Sequence, residues 1–251
     1  IKYKIQKILY LIYVSTVCAC RNLTNTYKIN TNYSKLKSMY IHIPLIKKVA
    51  ATGKPMMIST GMASIAELDD AVRTIREAGC EQFVLLKCTS TYPATPENSN
   101  VLTIPHMREL FGCEVGLSDH TMGVGAAVAA VAHGATVIEK HFTLRRADGG
   151  VDSAFSMEPG EMKRLVIETE CAWQSLGKVT YGPTDAEKPS LKHRRSLYVA
   201  EDMKKGDVLN KKNLCIVRPG LGLAPKYYNQ FLGRKINKNL KKGTAVEWEF
   251  I

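Results

Sequence analysis

Two histidines, His120 and His141, each end a short segment whose pattern predicts a buried β-strand. The segments read GLSDH at 116–120 and VIEKH at 137–141, and sequence typical of a helix follows each one. In folds made of consecutive β/α units, functional side chains collect at the carboxyl ends of the parallel strands. Two neutral imidazoles at neighbouring strand ends suit Mn²⁺, Fe²⁺ or Zn²⁺. A single strand-end histidine is more typical of a structural residue, so the pair leaves a metal site and a structural role both open.

The other predicted strand ends carry small hydroxyl side chains. Ser59 and Ser90 follow two further apolar runs, and Ser118 lies two residues before the first histidine. Hydroxyls beside exposed backbone amides hold phosphate or carboxylate oxygens with little steric bulk. Each serine alone is ordinary loop sequence, but together they predict an anion site near the histidines. Asp119 and Glu139 are candidates to orient the imidazole rings.

The elements that must position these residues follow a regular β/α order between residues 43 and 180. Apolar stripes at helical spacing alternate with short buried runs. Ser64 and Glu67 form a capping box that begins one helix. The predicted strands are Met56–Thr60, Phe83–Cys88, Val115–Ser118 and Thr136–Phe142. We therefore predict an α/β fold with four (β/α) units, half of an eightfold TIM-type barrel.

A second domain is predicted after a polar linker at 181–193. Residues 194–251 show short alternating runs broken by glycine and asparagine turns, typical of a small β-rich domain. The histidines outside the strand ends fit surface positions on helices or in the linker: His106, His133 and His193. His42 receives no role.

Residues 1–42 do not fit the β/α order. The first forty residues lack aspartate, glutamate, glycine and proline. Ile8–Val17, after a basic start, is similar to the apolar core of a signal peptide, but the seven cysteines show no secreted disulfide framework. We predict that 1–42 is a leader outside the native domain, with Met39 as an alternative start.

The net charge of +12 is unevenly distributed along the chain. Residues 51–189 hold twelve basic and eighteen acidic side chains, whereas 190–251 hold fourteen and five. The basic tail lacks the interleaved aromatic residues of nucleic-acid-binding motifs, so nucleic acid is not an expected partner. No apolar run of roughly 18 residues predicts a membrane span. Reduced cysteines favour a cytoplasmic protein.

Several motifs together resemble the sialic acid synthase family, the phosphoenolpyruvate-condensing synthases of nonulosonic acids. They are SDHT, EKHFT, CTSTYP, SAFSMEP and RPGLG, spread over 43–251. The resemblance implies the carboxyl-terminal half of the family's TIM barrel at 43–180, followed by its antifreeze-like (SAF, β-clip) domain at 194–251. RADGGVDSAFSMEP, LGKVTYGP and RPGLGLAPKYY look closest to the pseudaminic acid synthases. N-acetylneuraminate and legionaminate synthases are the alternatives.

This resemblance implies condensation of phosphoenolpyruvate with an acetamido sugar, which in the pseudaminate branch is 2,4-diacetamido-2,4,6-trideoxy-altrose. It assigns His120 and His141 to a divalent metal, Mn²⁺ or Mg²⁺, and to catalysis together with Asp152. The implied substrate-binding residues are Ser59, Ser90, Tyr92, Ser118 and Arg218. It also implies a domain-swapped homodimer in which Arg218 reaches over the partner's barrel. Without the family, Tyr92 and Asp152 fit loop packing equally well, and Arg218 fits a surface turn.

The family's barrel has eight strands, and residues 43–180 account for four of them. Half of a barrel leaves strand edges unpaired, so we expect a truncated copy that is poorly stable and inactive by itself. Two other functions stay open. One is an inactive product whose SAF domain binds a partner or a carbohydrate. The other is an unrelated metal-dependent hydrolase or aldolase, which would turn over without phosphoenolpyruvate.

Overall fold

The computed structural model describes residues 9–14, 34–36 and 41–251. The chain divides into two compact units, Ile1–Gly177 and Lys178–Ile251. In the described part of the chain, no helix has the length and apolar character needed to cross a bilayer.

The first unit is built on a parallel sheet of six strands in the order β1-β6-β5-β4-β3-β2. The strands are β1 (Leu9–Val14), β2 (Ser34–Leu36), β3 (Met56–Ser59), β4 (Phe83–Cys88), β5 (Glu114–Asp119) and β6 (Val137–Phe142). Strands β3 to β6 are the four that the sequence predicts, and they form a curled half-barrel. The sheet has two more strands than predicted, because β1 pairs with β6 and β2 pairs with β3. Both additional strands lie within residues 1–42.

Among the described residues of this unit, five α-helices alternate with the strands, as expected. They are α1 (Ile43–Ala50), α2 (Ile65–Glu77), α3 (Thr103–Phe111), α4 (Gly125–Ala132) and α5 (Pro159–Ser175). The predicted capping box begins α2: Ser64 Oγ accepts from Glu67 N–H, and the Glu67 carboxylate accepts from Ser64 N–H at 2.7 Å. His42, for which no role was predicted, caps α1, since its Nδ1 accepts from Leu45 N–H at 3.1 Å.

Side chains of the central strands alternate between two faces of the sheet. The outer face packs against the helices in the main core, to which β3 to β6 contribute Ile58, Leu85, Leu117 and Ile138. The inner face carries a smaller apolar cluster of Met57, Leu86 and Val137. Because the alternation continues along each strand, the inner face ends in Ser59, Cys88, Ser118, Glu139 and His141. The polar residues predicted at the strand ends therefore lie next to a buried apolar cluster on the inner face of the sheet.

The second unit is a small β-rich structure with its own core, as predicted. Strands β7 (Ser196–Val199) and β8 (Leu214–Val217) pair antiparallel. Isolated bridges add further pairing, for example between Met203 and Leu240. A short helix, α6 (Tyr228–Phe231), places Phe231 in the centre of the core, where it is 0% exposed.

Candidate metal and substrate site at the strand ends

The two imidazoles meet at the carboxyl ends of β5 and β6. His120 directly follows β5 and His141 is the fifth residue of β6. Their ring centroids are 5.2 Å apart with the planes at 72°, and each histidine is 2% exposed. The structure thus brings together the pair that the sequence predicted as ligands. Their role in metal binding stays a prediction.

The groups next to Nδ1 of each ring indicate which nitrogen of the imidazole carries the proton. His120 Nδ1 lies 2.8 Å from the carbonyl oxygen of Thr89. Since a carbonyl only accepts, Nδ1 donates and Nε2 keeps the lone pair. His141 Nδ1 lies 3.4 Å from Asp152 Oδ2, an acceptor that favours the same tautomer. Metal-binding histidines are typically held in this way by a carbonyl or a carboxylate on the other nitrogen.

Asp152 has an unusual backbone conformation that places its carboxylate beside His141. Its φ is 65°, in the left-handed region, where aspartate is tolerated better than most residues. Such a conformation persists where the surrounding structure fixes it, and it is common at functional sites. The short helical turn Ser153–Phe155 begins immediately after it.

Two aromatic rings cover the histidines. The Tyr92 centroid is 4.3 Å from that of His120 and 6.1 Å from that of His141. Phe155 packs 5.1 Å from His141 and 5.8 Å from Tyr92. The sequence identified Tyr92 but missed Phe155, although Phe155 lies within the SAFSMEP motif. These rings limit the access of water to the imidazoles, while Tyr92 stays 45% exposed.

The predicted hydroxyl side chains surround the same place. Ser59 and Ser118 are each 2% exposed, and Ser118 Oγ donates to Glu139 Oε1 at 3.1 Å. Ser90 Oγ is 3.9 Å from Cys88 Sγ. Burial raises the pKa of the Cys88 thiol, but hydrogen bonds from His120, Ser59 and Ser90 outweigh it and lower the pKa to about 7. The inner face therefore combines hydroxyls, a carboxylate and an acidic thiol next to the imidazoles.

The prediction that Asp119 orients an imidazole needs correction. Asp119 belongs to the outer face, where its Oδ2 is 2.9 Å from Lys140 Nζ and its Oδ1 accepts from Thr121 N–H. The contacts that orient the rings come instead from Thr89 and Asp152. Arg218 is an exposed residue of the second unit, and its predicted role stays a prediction.

The donor set fits a divalent ion held by two imidazole nitrogens. Within the described residues, no three or more histidine, cysteine, aspartate or glutamate side chains form a complete metal-binding group. Catalytic metal sites keep positions open for water or substrate, and Mg²⁺ commonly retains several waters. Two imidazoles whose Nδ1 atoms face a carbonyl and a carboxylate agree with a site of this open kind.

We expect Asp152→Asn to lower Mn²⁺ affinity by about 10–100-fold, the usual effect of removing a carboxylate that supports a ligating histidine. Isothermal titration calorimetry measures this loss directly. Asp148→Asn is the matched control, because Asp148 lies in the same loop and pairs with Arg145. Equal affinity in Asp152→Asn and the wild type would show that the carboxylate does not support the site.

Comparison with known proteins finds a matching family model for each of the two units. The NeuB family model matches residues 4–181, and the SAF domain model matches residues 194–251. The chain is 42% identical over 205 residues to a pseudaminic acid synthase of Campylobacter jejuni, covering 80% of this chain and 59% of that protein. It is 37% identical over 215 residues to an N,N'-diacetyllegionaminic acid synthase of Legionella pneumophila, covering 84% and 60%.

A solved structure shows the same fold. It is the N-acetylneuraminic acid (sialic acid) synthetase of Leptospira borgpetersenii, crystallised with citrate, which matches with a TM-score of 0.60 and 32% identity. The match covers 66% of this chain and 58% of that one. The chain thus spans about three fifths of the length of the curated relatives that it matches. The resemblance inferred from the motifs is confirmed, and the chain belongs to the NeuB family and carries a SAF domain.

Proposed function

We propose that this chain acts as a nonulosonic acid synthase, which condenses phosphoenolpyruvate with the open-chain aldehyde of an acetamido sugar. The convergence of His120 and His141, with centroids 5.2 Å apart at neighbouring strand ends, carries the proposal. The proposal is supported by the relatives described above, which are a pseudaminic acid synthase and an N,N'-diacetyllegionaminic acid synthase. The chain spans about three fifths of their length, so condensation by this chain alone is part of the proposal. It departs from the inactivity expected of a half-barrel with unpaired edges, because β1 and β2 pair with β6 and β3, the outer strands of that half-barrel.

For the sugar we propose 2,4-diacetamido-2,4,6-trideoxy-altrose, the precursor of pseudaminic acid. Identity to the pseudaminic acid synthase is higher than to the legionaminic acid synthase. The motif RADGGVDSAFSMEP at 146–159 supports the same choice and includes both Asp152 and Phe155. The precursors of N-acetylneuraminate and legionaminate are the alternative substrates.

The reaction joins C3 of phosphoenolpyruvate to the aldehyde carbon of the sugar. Water adds at C2, and the resulting tetrahedral carbon expels inorganic phosphate by cleavage of its C–O bond, so atoms balance as one water consumed and one phosphate released. This class is a transferase. A divalent ion bound by His120 and His141 would supply Lewis-acid polarisation of the aldehyde oxygen.

Residues of the chain orient the two imidazoles and line the proposed substrate site. The Thr89 carbonyl accepts from His120 Nδ1, and the Asp152 carboxylate lies 3.4 Å from His141 Nδ1, so both groups favour the Nδ1–H form. The hydroxyls of Ser59, Ser90 and Ser118 suit the phosphate and carboxylate oxygens of phosphoenolpyruvate. Tyr92 and Phe155 form an apolar wall against the sugar. Exclusion of water behind that wall strengthens the electrostatic interactions within the site.

Two further features accompany this function. We propose the domain-swapped homodimer of the sialic acid synthases, in which Arg218 approaches the partner's site. We also propose a cytoplasmic location, supported by free thiols at Cys80, Cys88, Cys113, Cys171 and Cys215. The light-scattering mass of the purified protein tests the dimer.

The function is tested by incubating the purified chain with Mn²⁺, phosphoenolpyruvate and each candidate sugar. We expect phosphate release that requires the sugar, with a nonulosonic acid detected by mass spectrometry, and loss of both in His141→Gln. Sugar turnover without phosphoenolpyruvate would favour the hydrolase or aldolase alternative. Absence of condensation would remove the catalytic proposal for this chain.

A second candidate function is binding by the SAF domain alone. The separate core of residues 178–251 favours it, since it is a compact unit with its own buried side chains. Limited proteolysis distinguishes the two functions. A resistant fragment near 190–251, with 43–180 digested, would support a binding module over a synthase.

A further inference from the structure

A buried ion pair lies on the outer face of the sheet, directly behind the two histidines. Lys140 Nζ is 2.9 Å from Asp119 Oδ2, and the side chains are 3% and 2% exposed. Asp119 and Lys140 are paired across β5 and β6, and each directly precedes a histidine. Leu117 and Ile138, which point to the same side, pack in the helix-facing core.

Both members of the ion pair also bind the backbone of Thr121, one at its N–H and the other at its carbonyl. Asp119 Oδ1 accepts from Thr121 N–H at 2.8 Å, and Lys140 Nζ donates to the Thr121 carbonyl. On the opposite side, Ala94 N–H donates to the carbonyl of His120 at 3.0 Å. Ala94 and Thr121 also form a parallel bridge. The backbone of His120 and Thr121 is thus fixed both by the ion pair and by Ala94.

Stability alone is a weak reason for placing this pair in the core. Removing two charges from water costs more than a buried pair usually returns, and apolar residues of similar volume are often equally stable. The pair does have a geometric effect, since it ties the loop that begins at His120 to the residue before His141. A small error in the placement of ligating or catalytic groups has large effects on binding and rate.

We infer that Asp119 and Lys140 are positioning residues, which fix the ring of His120 against that of His141 through the backbone of Thr121. The effect of Asp119 and Lys140 on metal binding rests on the proposed function. Their effect on the orientation of the His120 ring does not depend on that function.

The test uses the full chain labelled with ¹⁵N-histidine and compares it with Asp119→Leu/Lys140→Met. Long-range ¹H–¹⁵N correlation reports the tautomer of each ring, and His120→Gln assigns the signals. In the wild type we expect His120 in the Nδ1–H form. In the double variant we expect averaged nitrogen shifts for His120 and an Mn²⁺ affinity about 10–100-fold lower. Leu117→Met, a volume-conserving change in the same layer, should leave both unchanged.

A folded double variant with an unchanged His120 spectrum would overturn the inference. If the double variant does not fold by circular dichroism, Lys140→Arg and Asp119→Asn replace it. Lys140→Arg keeps the cation, so His120 should retain its Nδ1–H tautomer. Asp119→Asn removes the anion, so His120 should lose this preference. Retention of the tautomer in both variants would contradict the inference. Failure of the wild type to bind Mn²⁺ would count against the proposed function only, because the tautomer is read without metal.

Discussion

Glutamine at position 120 or 141 is expected to weaken Mn²⁺ binding by more than about 100-fold, since loss of a supporting group alone reaches that size. In the proposed metal site, each imidazole would supply one nitrogen donor from a buried ring. The amide of glutamine has similar reach, but it offers a weaker oxygen or nitrogen donor. Titration calorimetry of His120→Gln and His141→Gln gives the loss in each case.

The control for these variants is His106→Gln. His106 is an exposed residue of α3, so its replacement should leave Mn²⁺ affinity unchanged. If His120→Gln and His141→Gln bind as tightly as the control, the ion is held elsewhere. Loss in only one of the two would leave a metal site of different composition.

The largest expected effect on folding comes from Gly116→Ala on the inner face of β5. A Cβ at this position would lie 2.4 Å from the Val137 carbonyl oxygen and 2.7 Å from Leu86 Cδ2. Neither contact is tolerable, and the nearest atom is backbone of the neighbouring strand. We expect a loss of about 3 kcal/mol or more in the free energy of unfolding, at or above the upper end for overpacked cores. Urea denaturation followed by circular dichroism measures it.

The matched control is Gly125→Ala at the start of α4. No atom lies within 4 Å of a Cβ built there, and alanine is favoured over glycine in a helix by roughly 0.5–1 kcal/mol. This variant should be as stable as the wild type or more so. Similar stability of Gly116→Ala would mean that β5 and β6 are farther apart than the structure shows. Because the histidines lie at the carboxyl ends of these strands, Gly116→Ala should also reduce Mn²⁺ affinity.

The sequence predicted the central strands and the meeting of the histidines because both follow from local patterns. Strands β3 to β6 are short apolar runs with helical stripes between them, and their ends agree with the structure to within one residue. Parallel strands place their carboxyl ends at one edge, so histidines at two consecutive ends were expected to approach each other. The family resemblance added Asp152, which the local sequence did not distinguish from a turn residue.

Other parts of the site depend on contacts that no local pattern reveals. The ring of His120 is oriented by the main-chain carbonyl of Thr89, 31 residues away, and any residue type could supply that group. The sequence did contain a signal for the ion pair, because a lysine within the buried strand VIEKHF requires a polar partner. The sequence could not say that Asp119 was this partner and not a support for an imidazole, because the face that Asp119 occupies depends on where β5 ends. Strands β1 and β2 were missed because residues 1–42 lack the glycine and proline that mark turns.

The most direct test of the central claim is pulsed electron paramagnetic resonance of Mn²⁺ bound to the chain labelled with ¹⁵N-histidine. We predict couplings to two imidazole nitrogens, with one coupling removed in His120→Gln and one in His141→Gln. Mn²⁺ that shows no histidine coupling, or couplings that both variants retain, would contradict a cation shared by these two rings.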